Sequence, residues 1–273
     1  MVKENIKKKS IIILGSNGML GSQASKYFKK NFIVKKFNKK FTTLNVRNYI
    51  KSLNNEKPSI ILNCIGKIKQ KKSTMKELYW SNTLLINKFA SQLSNKHLLI
   101  HPSTDCVFNG SSKIRYKKSA KLDSTDDYGV SKILAEKILK KRKNTLIIRT
   151  SIVGLEPNSK NGLLSWFLSK KKKTYGYVDH FWNGVTTLKW CEFVENYLTK
   201  INYLNLKKTK IIQIGTKKNY TKYEILKIFR NVFNKKILIE KKRAGYINRC
   251  LNSDFKIENL ETQLLNLKKF HKI

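Results

Sequence analysis

Apolar, strand-like runs recur along the first half of the chain at 11–14, 32–37, 59–63, 97–100 and 145–149. Strands covered on both faces read as continuous runs rather than as strict alternation. Between them, apolar positions fall at helical spacing near 19–30, 75–94 and 127–141. Thr74 with Glu77, and later Thr221 with Glu224, form T-x-x-E pairs that mark helix starts. Strands alternating with helices predict βαβ units and a parallel sheet.

The rhythm changes past residue 150. Helices are expected at 163–168, about 188–200 and 222–233, with a strand at 211–214. The stretch 175–187, rich in Tyr, Gly, Asp, His and Trp, reads as a loop. No internal repeat or low-complexity linker interrupts the chain beyond short lysine runs. The expectation is an α/β chain with a nucleotide-binding domain over 1–155. Residues 156–273 mainly form a smaller α/β substrate lobe, with some segments returning to the first sheet.

Composition narrows the picture. The chain has 273 residues and 40% hydrophobic content, enough for a sizeable core. No apolar run approaches the ~20 residues of a membrane span, and the short basic–apolar start is too brief for a secretory leader. A cytoplasmic protein is expected. The net charge of +41 points first to nucleic acid. Yet only seven of the 58 basic residues are arginine, the residue that carries bidentate recognition of phosphates and bases. A lysine bias spread over solvated faces explains the charge, and no specific nucleic-acid partner is expected. Cys64, Cys106, Cys191 and Cys250 lie far apart and read as reduced thiols. His97 and His101 flank a strand with no partner at ligand spacing, so no metal site is expected.

The first strand runs straight into Gly15, Gly18 and Gly21, and a helix follows. In a Rossmann-type, doubly wound parallel sheet, such glycines permit the tight turn, let the backbone approach a pyrophosphate and let helix and strand pack closely. The helix N-terminus then offers free N–H groups and a partial positive charge to the phosphates. The spacing G-x-x-G-x-x-G is that of the extended short-chain dehydrogenase/reductases. A ligand-free glycine turn is the plainer alternative; strand before, helix after and the βαβ rhythm favour a cofactor. The second strand ends in KKFNKK, without the acid that grips the ribose hydroxyls of NAD. Lys35, Lys36, Lys39 and Lys40 lean the expectation toward NADPH over NADH.

DDYGVSK places Tyr128 and Lys132 four apart, on one face of a helix. A phenol of pKa ~10 is a poor acid–base at neutral pH; a neighbouring ammonium, with the positive nicotinamide of an oxidised cofactor, would lower that value. The spacing alone proves little. With 12 tyrosines, and lysine making up most of the basic residues, chance gives about two such pairs, and Tyr203/Lys207 and Tyr223/Lys227 are others. Position discriminates: only Tyr128/Lys132 falls between the fourth and fifth strands. It also follows HPSTDCVFNG, which puts Thr104 at a strand end, where ligands of open parallel sheets bind.

GSNGMLGS, STDCVFNG, YGVSK and IIRTSIVG, in that order and spacing, resemble the dTDP-4-dehydrorhamnose reductase family of extended short-chain dehydrogenase/reductases. The similarity is strong over about 10–155 and thinner beyond. It implies reduction of the 4-keto group of a nucleotide-linked 6-deoxysugar by NADPH or NADH, in surface polysaccharide synthesis. It implies Tyr128 as proton donor, Lys132 as its partner and ribose ligand, and Thr104 as the hydroxyl that polarises the keto group. Gly15, Ser16, Asn17, Gly18, Met19, Leu20 and Gly21 would hold the pyrophosphate. Cys64, Ile65 and Gly66 would line the cofactor, and Asn45 and Val46 would lie near adenine. Asp105, Trp182, Asn183 and Arg249 are candidates to meet the substrate, with packing or ion pairing as the plain alternative for the last three. A homodimer is compatible with the resemblance. Cys106 stands where the rhamnose enzymes usually carry an aromatic, and DHFWNGVTTLKW replaces a shorter segment.

Rival readings differ in what they need. An epimerase of this fold would leave its cofactor unchanged after a cycle. A dehydratase would carry Asp-Glu after the catalytic Thr, where this chain has Asp105 and Cys106. A non-catalytic cofactor-binding regulator would not need Thr104, Tyr128 and Lys132 together. An RNA-binding protein would hold nucleic acid at ~200 mM salt, where unspecific lysine contacts fade.

Overall fold

Ser10–Leu14 (β1) is buried on both faces: Ile11 and Ile13 enter one apolar cluster, Ile12 and Leu14 another. A strand of this kind needs helices on each side of its sheet. The computed structural model, which describes residues 9–68, 73–201 and 206–273, supplies them. Helices Met19–Tyr27 and Thr187–Leu198 cover the first face, and Val46–Asn55, Leu85–Gln92 and Asp127–Leu139 cover the second.

The sheet also contains Ile33–Phe37 (β2), Ile60–Asn63 (β3), Leu98–Ser103 (β4), Thr145–Arg149 (β5) and a sixth strand, Lys210–Gln213. From one edge the order is β2, β1, β3, β4, β5, Lys210–Gln213, with every neighbouring pair parallel. Strand order reverses between β1 and β3. At such a point the connections leave in opposite directions, and a crevice opens outside the carboxyl ends of the strands.

The sequence pattern places the five N-terminal strands and misjudges several details. The helix expected near 75–94 is Met75–Tyr79, a π-helical turn Trp80–Leu84, and Leu85–Gln92. The widened turn brings Asn82 Nδ2 to 3.1 Å from Ser131 Oγ and Thr83 Oγ1 to 2.9 Å from the Ser131 carbonyl, tying this segment to the helix Asp127–Leu139. The helix expected to reach residue 30 ends at Tyr27 and closes in a 3-10 turn, Phe28–Lys30.

The lobe departs further. The expected loop 175–187 is mostly strand. Lys173–Tyr177 pairs in parallel with Leu238–Lys242. His180–Trp182 is the middle strand of three, between Tyr220–Thr221 and Ile247–Asn248. Helices Leu163–Leu168, Lys222–Val232 and Leu260–His271 share one apolar cluster with these strands.

A buried ion pair joins the layers. Arg149 Nη2 lies 2.7 Å from Glu136 Oε2, both side chains almost wholly inaccessible. Ser103 Oγ donates to Glu136 at 2.5 Å, and Arg149 Nη1 donates to Gln213 Oε1 at 3.2 Å. Gln213 Nε2 in turn donates to the carbonyls of Tyr116 and Asn252. Both charges are satisfied by hydrogen bonds on every side, the condition under which a buried pair is tolerated.

Candidate active site

The glycine turn is built as its sequence demands. Gly15 has φ +74°, a left-handed conformation that favours glycine. A Cβ on Gly21 would lie 2.2 Å from the Gly15 carbonyl oxygen, so a side chain there would force the turn apart. Gly18 takes the N-cap position of helix Met19–Tyr27 and contributes no capping side chain. First-turn N–H groups that no side chain caps suit an anion. Ser16 is buried, its hydroxyl bonded to Asn38, while Asn17 is exposed. Met19 opens the helix and Leu20 packs beneath it.

A Cβ on Gly15 would also touch Ile65 Cγ1 at 3.0 Å and the Cys64 backbone at 3.1 Å. The turn after β1 and the strap after β3 therefore lie against each other at the switch point. Cys64 and Ile65 are half-buried and Gly66 is exposed, so the strap presents backbone to the crevice. Asn45 and Val46 stand at the start of helix Val46–Asn55. Asn45 braces its own turn through the Thr42 amide and the Lys40 carbonyl. Val46 packs into the core with Ile50 and Leu53, which leaves only its backbone for a ligand.

Thr104, at the end of β4, donates to Asp105 Oδ1 at 3.0 Å, accepts from the Cys106 amide at 3.1 Å and is hydrogen-bonded to the Tyr128 hydroxyl. Helix Asp127–Leu139 can approach this closely because of one residue. A Cβ on Gly129 would lie 2.0 Å from Ser124 Oγ and 2.4 Å from the Cys106 carbonyl. Asp126 caps the helix by accepting from the Gly129 amide at 2.9 Å.

Burial pushes the Tyr128 phenol above its ordinary range; Cys106, Asp105 and Asp126 add to the rise, and the bond to Thr104 opposes it. Tyr128 is thus protonated at neutral pH, the state a proton donor needs. Burial draws Lys132 down to about 8, against the opposing charge of Glu136. Lys132 Nζ donates to the Pro102 carbonyl at 2.8 Å and lies 3.1 Å from His101 Nε2. The other two tyrosine–lysine pairs give no second candidate among the described residues. Tyr203 lies outside the described residues, and Tyr223 is a lobe packing residue with Lys227 Nζ 5.8 Å from its ring centre.

The lobe candidates are used for building. Trp182 is 2% exposed and part of the lobe core. Asn183 spends its amide on Thr216 and Leu251, donating to both carbonyls and accepting from the Leu251 amide. Arg249 Nε donates to the Phe108 carbonyl at 2.9 Å, and Nη2 lies 3.7 Å from Asp126 Oδ2. Packing, not stacking on a sugar, is the role the structure gives Trp182 and Asn183. Asp105 is buried beside Thr104.

Sequence reading passed over Lys222 and His180. Lys222 is the first residue of helix Lys222–Val232, directly after its capping Thr221. Burial lowers its proton affinity, Asp105 and Cys106 act against that, and Arg249 adds to it. His180 Nε2 is buried without a hydrogen-bond partner among the described residues. One lysine among so many carried no signal except its place after a capping box.

Among the described residues no group of three or more His, Cys, Asp or Glu side chains could hold a metal ion, and no helix is long and apolar enough to cross a membrane. The cysteines form no disulfide, and burial raises the Cys64, Cys191 and Cys250 thiols, Cys250 to about 12. His97 is a core residue whose Nδ1 accepts from the Ser59 amide at 3.2 Å.

A parallel sheet with a glycine turn at its switch point, and a Thr–Tyr–Lys group beside it, defines an oxidoreductase of the short-chain, nicotinamide-dependent class. Residues 9–178 match the family described as RmlD substrate binding domain, and the chain belongs to that family. Among solved structures it resembles dTDP-4-dehydrorhamnose reductase from Bacillus anthracis in complex with NADP, at 18% identity and TM-score 0.83, over 97% of this chain and 100% of that one. The corresponding reductase ortholog of Clostridium acetobutylicum matches at 16% identity and TM-score 0.80, over 97% and 100%. A dTDP-glucose 4,6-dehydratase from Bacillus anthracis in complex with NAD matches at 14% and 0.71, over 97% and 96%. No curated protein matches the chain by sequence.

Proposed function

We propose that the protein reduces the keto group of a nucleotide-activated 4-keto-6-deoxysugar with a nicotinamide cofactor, as a cytoplasmic enzyme of surface polysaccharide synthesis. The observation that carries this reading is the convergence of Thr104, Tyr128 and Lys132 at the carboxyl edge of the sheet, next to a turn shaped for a diphosphate.

The residues fit the cofactor. The turn 15–21 would cradle the diphosphate, the strap 64–66 would run along it and Lys132 would meet the ribose. The nicotinamide, when bound, supplies hydride to the keto carbon. Thr104, its hydroxyl proton turned from Asp105 to the substrate, would hold the keto oxygen in place, and Tyr128 would give it the phenolic proton. Lys222, whose side chain lies within electrostatic reach of Asp105 and Cys106, would face the anionic part of the substrate.

NADPH is favoured over NADH. A cavity of about 330 Å³ is lined by Ser16, Asn17, Lys26, Lys29 and Lys36. Asn38, just past β2, is neutral where NAD enzymes place an acid on the ribose. An extra phosphate meets cations here and no carboxylate. A homodimer is the assembly we favour.

The test is NADPH oxidation against a panel of nucleotide 4-keto sugars. One cofactor consumed per sugar reduced supports the reading. A product isomerised with no net cofactor consumption would convert the protein to an epimerase.

A further inference from the structure

The catalytic lysine lies at the end of a hydrogen-bonded chain that the reaction described above does not use. Asn63, at the end of β3, accepts from the Ile65 backbone N–H through Oδ1 at 3.2 Å. A backbone N–H cannot accept, so this bond fixes the orientation of the amide. Asn63 Nδ2 then faces His101 Nδ1 at 3.2 Å and must donate to it. A neutral imidazole that accepts at Nδ1 carries its proton on Nε2. That Nε2 lies 3.1 Å from Lys132 Nζ. An ammonium has three donors and no acceptor, so the two N–H groups would oppose each other. An amine accepts from His101 and still donates to the Pro102 carbonyl at 2.8 Å. In that state every bond from Ile65 to Pro102 points the same way. All three side chains are at least nine-tenths buried, where an opposed pair is costly and water does not relieve it.

We propose that His101 is a positioning residue that lowers the proton affinity of Lys132, and that Asn63 sets the tautomer through which it acts. Protonating Lys132 then requires the ring to move its own proton to Nδ1, against the Asn63 amide. The strap 64–66 and the charge beside Tyr128 are coupled through three bonds. The inference rests on the reductase reading only for what Lys132 does in the reaction.

Burial lowers Lys132 in its own right, and the other charged groups around it add nothing in that direction. Glu136, one turn along the same helix, favours the ammonium, but Arg149 of β5 and Ser103 of β4 engage its carboxylate. Asp105, Cys106 and Asp126 act on Tyr128. The π-helical turn packed on this helix contributes the neutral Asn82 and Thr83. The ring itself is held neutral, with burial and then Lys132 drawing its titration well below the ordinary range.

The four histidines of the chain make the tautomer readable by ¹⁵N NMR of the ring nitrogens. On the alkaline side of the Lys132 titration, the wild-type His101 ring is expected to carry its proton on Nε2. Asn63→Asp offers acceptors to both Ile65 and the ring, so His101 should carry its proton on Nδ1 at every pH. Lys132, followed by its own side-chain chemical shift, should then titrate at least one pH unit higher, a tenfold gain in proton affinity. Finding Nδ1–H in the wild type on the alkaline side overturns the proposal without any variant. So does a Lys132 titration that stays in place in Asn63→Asp, or one that moves while the ring keeps its Nε2 proton, which is a plain charge effect. These signals need no turnover. An enzyme inert toward every 4-keto sugar sinks the reductase reading and leaves this one to be judged on its own spectra.

Discussion

The sheet side of the crevice and the lobe side spend their polar groups differently. On the sheet side, the first-turn amides of the helix after Gly18 have no side-chain cap, and Tyr128 and Lys132 bond to groups at the end of β4, Thr104, Pro102 and His101. On the lobe side, Asn183 and Arg249 are saturated by internal carbonyls and Trp182 is sealed in a core. Strand ends of a wide parallel sheet satisfy the backbone through the ladder, which frees side chains for chemistry. The lobe strands are two to five residues long and need side chains to finish their hydrogen bonding. A polar or aromatic signature in such a lobe is first a building element, and its ligand-facing groups are found elsewhere.

The contrast can be broken or sharpened by substitution. Tyr128→Phe is expected to reduce kcat by about 10³-fold or more while the NADPH dissociation constant stays within a factor of about two; equal losses in both would make Tyr128 a structural residue. Trp182→Ala should cost about 3–5 kcal/mol in a denaturant titration, with KM of the surviving folded enzyme little changed. A large rise in KM at preserved stability would return Trp182 to the binding wall. Lys222→Met should raise KM for the nucleotide sugar by about 10- to 100-fold, roughly the 1.5–3 kcal/mol of a hydrogen bond to a charged group, and spare cofactor affinity. Lys36→Glu should narrow the preference for NADPH over NADH by about tenfold, read as a ratio of kcat/KM, with a smaller effect on NADH alone.

Much of the fold was legible because its strands are apolar runs set by local sequence. Gly15 and Gly21 signalled a tight turn and a close approach that the structure contains, whereas the close approach at Gly129 was not read from the sequence. Helix Val46–Asn55 was hidden: only Val46, Ile50 and Leu53 are buried in ten mostly polar residues. The lobe strands were hidden for another reason. His180–Trp182 pairs with residues about 40 and 67 positions away, and no local pattern encodes a partner so distant. In the candidate site, residue identity pointed to Thr104, Tyr128 and Lys132, but burial was invisible, and burial sets the proton state of both titrating groups. His101 was visible only as a failed metal ligand; its partners lie on two other elements.

The sixth strand has a consequence for anyone who would divide this protein. Lys210–Gln213 is contributed by the second half of the chain, yet it hydrogen-bonds β5 and brings Gln213 to the buried Arg149. A fragment stopping at residue 178 would strip β5 of its neighbour and bare a row of unpaired amides and carbonyls, an invitation to aggregate. The two halves are interlaced, and the boundary drawn from sequence is no place to cut.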